Sequence, residues 1–424
     1  MKKLLVIGYV WPEPNSSAAG SRMMQLLESF QAANYTITYA SPAELSPHAE
    51  DLASYGIASN AIELNSESFD HYLAELTPDA VLFDRFMMEE QFGWRVEKVC
   101  PDALRILDTE DLHCLRHARH QAFKNKASLK DTLNVSQRLL FNDLAKREIA
   151  SILRCDLSLM ISQAEMTLLT QTFNVPEQII HYVPFMRTSV KGAQDSSPLA
   201  LTPFAERKHF ISIGNFRHEP NWDAVRFLKE AIWPAIRQQL PEAELHIYGA
   251  YPPKKATQLH NEKQRFLVKG WAVNAFEVVS KARVLLAPLR FGAGLKGKLI
   301  DAAECGTPAV TTSIGAEGMY GNALPARISD DKDEFAKAAI ELYSKEESWQ
   351  SLHQECSLLI PERFELDLHQ QRLIDRITLL ENELEQERQN NFTGSMLRHH
   401  SMKSTQYMAQ WIEAKNKLLP QPQK

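Results

Sequence analysis

The sequence predicts an α/β protein of two domains, each built on a parallel sheet, that ends in a helical tail. Three observations carry this reading. The chain has 424 residues, more than one core ordinarily serves, and 44% of them are hydrophobic, as in a globular protein with a large interior. Short apolar runs alternate with helix-period segments along most of the length, the pattern of parallel strands joined by crossover helices. Beyond Pro325 the runs stop and the periodicity is helical.

In the first half, residues 4–8 read as a buried strand, followed by a loop over 9–20 rich in Pro, Ser and Asn and a helix over 21–32. Further strands are predicted at 36–39, 80–83, 104–107 and 157–161. Ligands of doubly wound sheets sit outside the carboxyl ends of strands. Asn15, Ser17, Gly20 and Arg22 are therefore a candidate acceptor-side or phosphate loop, although an ordinary strand-to-helix connection reads equally well. The next such place is the run Asp108-Thr109-Glu110-Asp111-Leu112-His113, crowded with titratable groups at a strand end. Asp108, Thr109 and Asp111 also suit the cap of a following helix. Asp84-Arg85 is a second choice, and Arg116, Arg119 and Arg147 read as helix faces. From Pro184 to Arg207, Gly192, Ser196, Ser197, Pro198 and Pro203 mark a linker.

In the second half, strands are predicted at 210–213, 243–249, 265–270, 284–287 and 309–312, with a helix over 222–239. The most informative stretch is PLRFGAGLKGKLIDAAECGTPAVTTSIGAEG, residues 288–318. An apolar strand runs into a glycine-rich loop that opens a helix near Leu295, with Lys296 and Lys298 in its first turn. Free N–H groups and the positive end of the helix dipole favour an anion there, and glycines let a phosphate approach the backbone. Asp301, one turn further in, can accept a hydrogen bond from a sugar or ribose hydroxyl. Gly306-Thr307-Pro308 ends the helix. The layout is that of a nucleotide site.

That stretch, with ISIGNFRHEPN at 211–221 and Gly270-Trp271, resembles the donor site of the group 1 (family four) glycosyltransferases of the GT-B fold. The likeness is strong over residues 209–319 and weak over the N-terminal half. It implies two Rossmann-like domains facing a cleft: an acceptor-side domain over 1–190, a linker over 191–207 and a nucleotide-sugar domain over 208–345. Helices over 346–389, the last crossing back to the first domain, and a polar tail over 390–424 with an amphipathic helix would follow. The implied activity is transfer of a sugar, hexosyltransferase-like and retaining, from a nucleoside-diphosphate sugar to a glycan, lipid-linked or other acceptor. The nucleotide sugar is a co-substrate, and no metal or cofactor is expected.

Carried onto this sequence, the resemblance makes Gly214, Arg217, Trp271, Gly292, Gly294, Leu295, Lys296, Lys298, Asp301 and Glu317 the donor-binding candidates. It also makes His113, with Asp111 and Glu110, the catalytic candidates on the first-domain side. The commonest form of the family has two glutamates eight positions apart. Here Ala293 stands at the first place and Asp301 at the second, so the donor-sugar contact is unassigned, with the backbone N–H groups of residues 292–295 as the expected replacement. Asn221 and Trp222 stand where a lysine is common, which shifts the cationic role to Lys296 or Lys298. A nucleotide-sugar epimerase and a non-catalytic scaffold are the rival readings.

Composition sets further bounds. The net charge of −6, with both signs interspersed, argues against a nucleic-acid partner. Five scattered cysteines without CxxC spacing suggest reduced thiols, a cytoplasmic setting and no zinc site. The first apolar run is broken by Gly8 and Pro12, which fits a core strand better than a signal peptide. Leu373, Ile377, Leu380 and Leu384 suit either the crossing helix or a short coiled coil. Tyr407, Met408, Trp411, Ile412, Leu418 and Leu419 share one helical face in the tail. Docking of that face on protein is favoured, because cations are few and Glu413 opposes them. Self-association and peripheral attachment at the inner face of a membrane are the alternatives.

Overall fold

The computed structural model describes residues 2–188 and 202–418. Linker residues Gly192, Ser196, Ser197 and Pro198, and tail residue Leu419, lie outside the described residues. The first domain holds a seven-stranded sheet of β1 (Lys2–Ile7), β2 (Tyr35–Ser41), β3 (Ala58–Ala61), β4 (Ala80–Asp84), β5 (Leu104–Asp108), β6 (Leu157–Met160) and β7 (Ile180–Tyr182), in the order β3-β2-β1-β4-β5-β6-β7. The second holds β8 (His209–Ile213), β9 (Leu245–Tyr248), β10 (Phe266–Gly270), β11 (Ala282–Ala287), β12 (Ala309–Thr311) and β13 (Ala326–Ile328), in the order β10-β9-β8-β11-β12-β13. Every pairing is parallel.

Helices cover both faces of each sheet, which is why the central strands read as unbroken apolar runs. In β1, Leu5 and Ile7 join one core and Leu4 and Val6 the other. The sequence reading missed β3, β7 and β13. These are three- or four-residue edge strands, and β3, Ala-Ser-Asn-Ala, is exposed throughout. Short polar edges resist further pairing, and they carry no apolar signal. Strand order reverses between β1 and β4 and between β8 and β11. Crevices therefore open at the carboxyl ends of those strands.

The helix expected from Trp222 begins at Glu219, with Pro220 in its first turn, and widens over Leu228–Ile232 before Pro234. A proline suits a helix start, where its missing N–H is not needed, and a widened turn accommodates one further in. At the end of the expected linker, Arg207 is fully buried. Its guanidinium donates to the carbonyls of Thr202 at 2.7 Å, Ala282 at 3.1 Å and Cys305 at 2.8 Å, so this part of the linker is packed into the second domain.

The helices Lys332–Ser344 and Glu346–Leu359 put Phe335 and Trp349 into the second-domain core. The helix Leu366–Asn390 then returns to the first domain. Leu373, Ile377 and Leu380 are buried with Leu4, Val6 and Ile37, and Leu384 packs at the edge, so this stripe serves the first sheet and not a coiled coil. Leu380→Ala is expected to lower stability by about 2–5 kcal/mol, while Leu379→Ala on the exposed side of the same helix stays within about 0.5 kcal/mol. Urea midpoints of the two variants, followed by circular dichroism, check this; equal effects would mean the helix does not dock.

Candidate functional site

The carboxyl edges of the two sheets face each other across a cleft of about 1390 Å³. Loops after β1, β4 and β5 line it from the first domain, and loops after β8, β9, β10 and β11 from the second. On the second-domain side, the glycine loop leads into the helix Gly297–Glu304, which starts two residues later than expected, with Lys296 at its N-cap. Lys298 is in the first turn. Its Nζ donates to Asn221 Oδ1 at 2.6 Å, and a Cβ at Gly214 would lie 2.8 Å from that Nζ, so glycine is needed for the ammonium to reach the end of β8. Burial and the neighbouring Lys296 push the Lys298 ammonium down to about 7. Lys296 Nζ donates to the carbonyls of Ala293 at 3.0 Å and Gly294 at 2.6 Å. Two ammonium groups thus share a partly desolvated space, which favours an anion with more than one charge.

Asp301 lines the cleft and accepts from Arg187 Nη2 at 2.7 Å; Arg187 also approaches Glu304 at 3.4 Å. Burial raises the Asp301 carboxyl although Arg187 opposes the shift. Arg217 stacks its guanidinium 3.4 Å from the centre of the Tyr251 ring. Trp271 is 39% exposed, neither a core residue nor free: its ring meets His48 at 4.5 Å, and its Nε1 donates to the Asn15 carbonyl at 2.9 Å. Leu295 is buried in the second-domain core and borders the cleft.

On the first-domain side, Glu110, Asp111 and His113 all line the cleft. Asp111 accepts twice from Arg116 Nη1, at 2.5 Å each, and lies 3.7 Å from His113 Nε2. Burial opposes it, but Arg116, His113 and His218 hold the Asp111 carboxyl well below the usual range. Burial pushes the His113 imidazole down to about 4, so it is neutral near pH 7. Burial, reinforced by Asp108, raises the Glu110 carboxyl. Asp111 does not cap the next helix. That helix, His113–Lys124, is held instead by Glu148, whose two oxygens accept from the N–H groups of His113 at 2.9 Å and Cys114 at 2.8 Å. Of the second-choice pair, Asp84 accepts from the Tyr9 N–H at 3.0 Å, and Arg85, at φ +69°, packs its guanidinium 5.1 Å from the Tyr9 ring centre.

The two sides touch. A Cβ at Gly294, whose φ is +64°, would fall 2.7 Å from Asp111 Cβ. The Gly294 N–H donates to Glu165 Oε1 at 2.7 Å, and the Leu112 N–H donates to the same oxygen at 3.3 Å. This corrects the expected anion role of that N–H, because a buried carboxylate already takes it. Glu317 does not line the cleft. Both its oxygens are held by Arg119, at 2.6 Å each, and Arg119 also donates to the Gly292 carbonyl at 2.9 Å, so this pair ties the domains together.

Arg22 also departs from its expected place. It is fully buried and, instead of facing the cleft, pairs with Asp108 at 2.9 Å and donates to the Val183 and Pro184 carbonyls. Ser17 caps the helix Ala18–Ala32 by accepting from the Gly20 N–H at 3.0 Å, and Gly20 fits closely against the Glu13 backbone. These two residues build the loop, and Asn15 bridges to Trp271.

Sequence reasoning missed Glu165, Arg187, Asn221 and His218 as site residues and assigned Arg116 and Arg119 to helix faces. Arg116, Arg119 and Glu165 lie on helix faces whose partners come from elements distant in sequence. Only the ionised type on an otherwise apolar helix face, as with Glu165 beside Met166 and Leu169, hinted at this.

Residues 207–345 match the sequence profile of the family described as Glycosyl transferases group 1. No curated protein sequence is significantly similar to the chain. Among solved structures, sucrose-phosphate synthase from Thermosynechococcus elongatus is similar over 90% of this chain and 99% of its own, with a TM-score of 0.63 at 15% identity. TarM of S. aureus, solved with UDP and alpha-GlcNAc-glycerol among its ligands, is similar over 89% of this chain and 99% of its own, with a TM-score of 0.66 at 10% identity. HepE of Anabaena, solved with UDP-glucose, is similar over 90% of this chain and all of its own, with a TM-score of 0.65 at 12% identity. Residues 207–345 thus carry the profile of the group 1 glycosyltransferases, and the two domains together have the GT-B fold.

Proposed function

We propose that the chain transfers a sugar from a nucleoside-diphosphate sugar to an acceptor held by the first domain. The observation that carries this reading is the pair Lys296 and Lys298 at the start of the helix Gly297–Glu304, facing Asp111 and His113 across one cleft. The two ammonium groups and the helix N-terminus stabilise the diphosphate as it leaves, a task that in other enzymes falls to a divalent ion. No metal or cofactor enters this reading. The family resemblance supports retention of configuration, with the departing phosphate taking the acceptor proton. UDP in the TarM and HepE structures supports a uridine nucleotide as the first to try. Glycans, lipid-linked saccharides and other hydroxyl compounds are the acceptors this reading admits.

In this reading Asp111 takes the place of the acid that Ala293 lacks. It is ionised and beside the glycine loop, so it can accept from hydroxyls of the donor sugar. His113, neutral and 3.7 Å from Asp111, orders the same corner. Asp301 meets the ribose or the sugar beside Arg187.

Calorimetric titration with UDP, GDP and ADP tests the donor site. One nucleotide should bind, and Lys298→Ala should weaken it by about 1.5–3 kcal/mol, the worth of a charge-assisted hydrogen bond. Unchanged affinity in the variant would remove Lys298 from the site. Diphosphate release from the nucleotide sugar only when acceptor is present separates transfer from the epimerase and scaffold readings.

The depressed Lys298 ammonium gives a pH signature. The diphosphate binds the protonated amine, so affinity is full below about pH 7 and falls as pH rises through it. Between pH 7 and 8.5 the dissociation constant should rise about tenfold, by linkage. Lys298→Arg, protonated throughout, should flatten the profile; a wild-type profile already flat would contradict the assignment.

Asp111→Asn should leave nucleotide affinity within about twofold while removing about 1–3 kcal/mol of the additional affinity that the sugar provides. The ratio of dissociation constants for nucleotide sugar and nucleotide reads this directly. Equal loss for both ligands would assign Asp111 to holding the loop instead.

A further inference from the structure

The helix Phe392–Leu418 lies on the first domain, against the helices Phe86–Val99 and Asp143–Arg154. Its inner face is committed. Met402 and Ala409 are buried with Trp94, Asn391 at its start donates to the Leu153 carbonyl at 2.8 Å, and Arg398 donates to the Arg154 carbonyl at 3.0 Å. Glu413, which the sequence placed in opposition to a membrane, is turned inward: it is 3.5 Å from Arg95 and 3.1 Å from Lys417.

The outer face is another matter. Phe392 is 77% exposed, Tyr407 65%, Trp411 60% and Leu418 85%, with Met396 and Met408 also open. The spacing of Phe392, Met396, Tyr407, Trp411 and Leu418 keeps these five within about 100° of one another around a helix of 3.6 residues per turn. An apolar stripe along a 27-residue helix is longer than a monomer ordinarily leaves open. Two lysines stand open beside it. Lys403 and Lys415 are exposed, whereas Lys417 pairs with Glu67 at 2.9 Å and with Glu413, the helix's one acid, at 3.1 Å. Lys415 lies 5.3 Å from the Trp411 ring centre.

We propose that this face docks on an anionic lipid surface, lying in the plane of the headgroups. Aromatic side chains with a polar edge sit at the headgroup level, aliphatic ones beneath it, and lysines beside them meet anionic lipid. Charge is what chooses among occupants. A second copy would bring Lys403 and Lys415 against their own kind, whereas an anionic surface answers them. The docking concerns a face outside the cleft and does not depend on the transferase reading. It would also bring a lipid-linked acceptor to the first domain without a spanning segment; among the described residues, no helix is long and apolar enough to cross a membrane.

The test is co-sedimentation of the full chain with vesicles of phosphatidylcholine alone and of phosphatidylcholine with an equal part of phosphatidylglycerol. Binding is expected to the mixed vesicles at least tenfold above the neutral ones, and to weaken as salt is raised. The variant Tyr407→Ser with Trp411→Ser should lose at least tenfold, and Lys403→Glu with Lys415→Glu should abolish the preference for anionic lipid. These positions are exposed, so melting temperature and nucleotide affinity should stay as in wild type; both are measured on every variant. Absence of wild-type binding to mixed vesicles overturns the proposal, as does binding that none of the changes alters. Light scattering provides the remaining arm. A concentration-dependent dimer that Tyr407→Ser with Trp411→Ser dissolves would show a second copy on this face and overturn the lipid assignment.

Discussion

The hydrogen bond from the Gly294 N–H to Glu165 is the contact on which the arrangement of the cleft depends. Glu165 is fully buried and stands on a first-domain helix, yet one of its oxygens serves both the glycine loop of the second domain and Leu112, between Asp111 and His113. Burial, reinforced by the Asp111 charge, raises its carboxyl, and its other oxygen has no hydrogen-bond partner among the described residues. Such a group is costly to bury unless its contacts hold. Losing the bond would separate the two loops that the proposed chemistry needs side by side. The Arg119–Glu317 pair, bidentate and largely buried, fixes the same junction beside the glycine loop.

The sheets explain why these groups converge. Each has its order reversal near the centre, so β1, β4, β8 and β11 all end at the cleft. A strand end there must be followed by a loop that permits close approach, and at Gly214 and Gly294 the space for a side chain is already filled, by Lys298 with Asn221 and by Asp111. The fold thus fixes where the loops lie, and the small residues fix how near the charges come.

Much of this was legible in the sequence, and the exceptions have physical causes. Ten of the strands announce themselves as apolar runs because both faces of each sheet are covered, while β3, β7 and β13 sit at or near the edges and have too few residues to show a pattern. Lys296 and Lys298 could be read because a glycine loop entering a helix is a local signal. Glu165, Arg119 and Arg187 could not, since their roles exist only when the domains meet. Arg22 was misread for the opposite reason: its place in a promising loop gives no sign that the side chain turns back to Asp108. In the tail, periodicity identified the face of Tyr407 and Trp411 but not which side Glu413 would take.

The loss of an acid at Ala293 has a consequence for how the site would work. An acid on the glycine loop belongs to the donor domain and would meet the sugar whether the cleft is open or closed. Asp111 comes from the other domain and reaches Gly294 only when the two are together. If Asp111 holds the donor sugar, then recognition of that sugar is coupled to closure, because differential affinity for the closed state is what shifts the equilibrium towards it. Nucleotide alone, engaging Lys296, Lys298 and the second-domain loops, would lack that coupling. In that case the same movement would exclude water as it completes the contact to the sugar, and the reactive donor would be bound fully only where hydrolysis is suppressed.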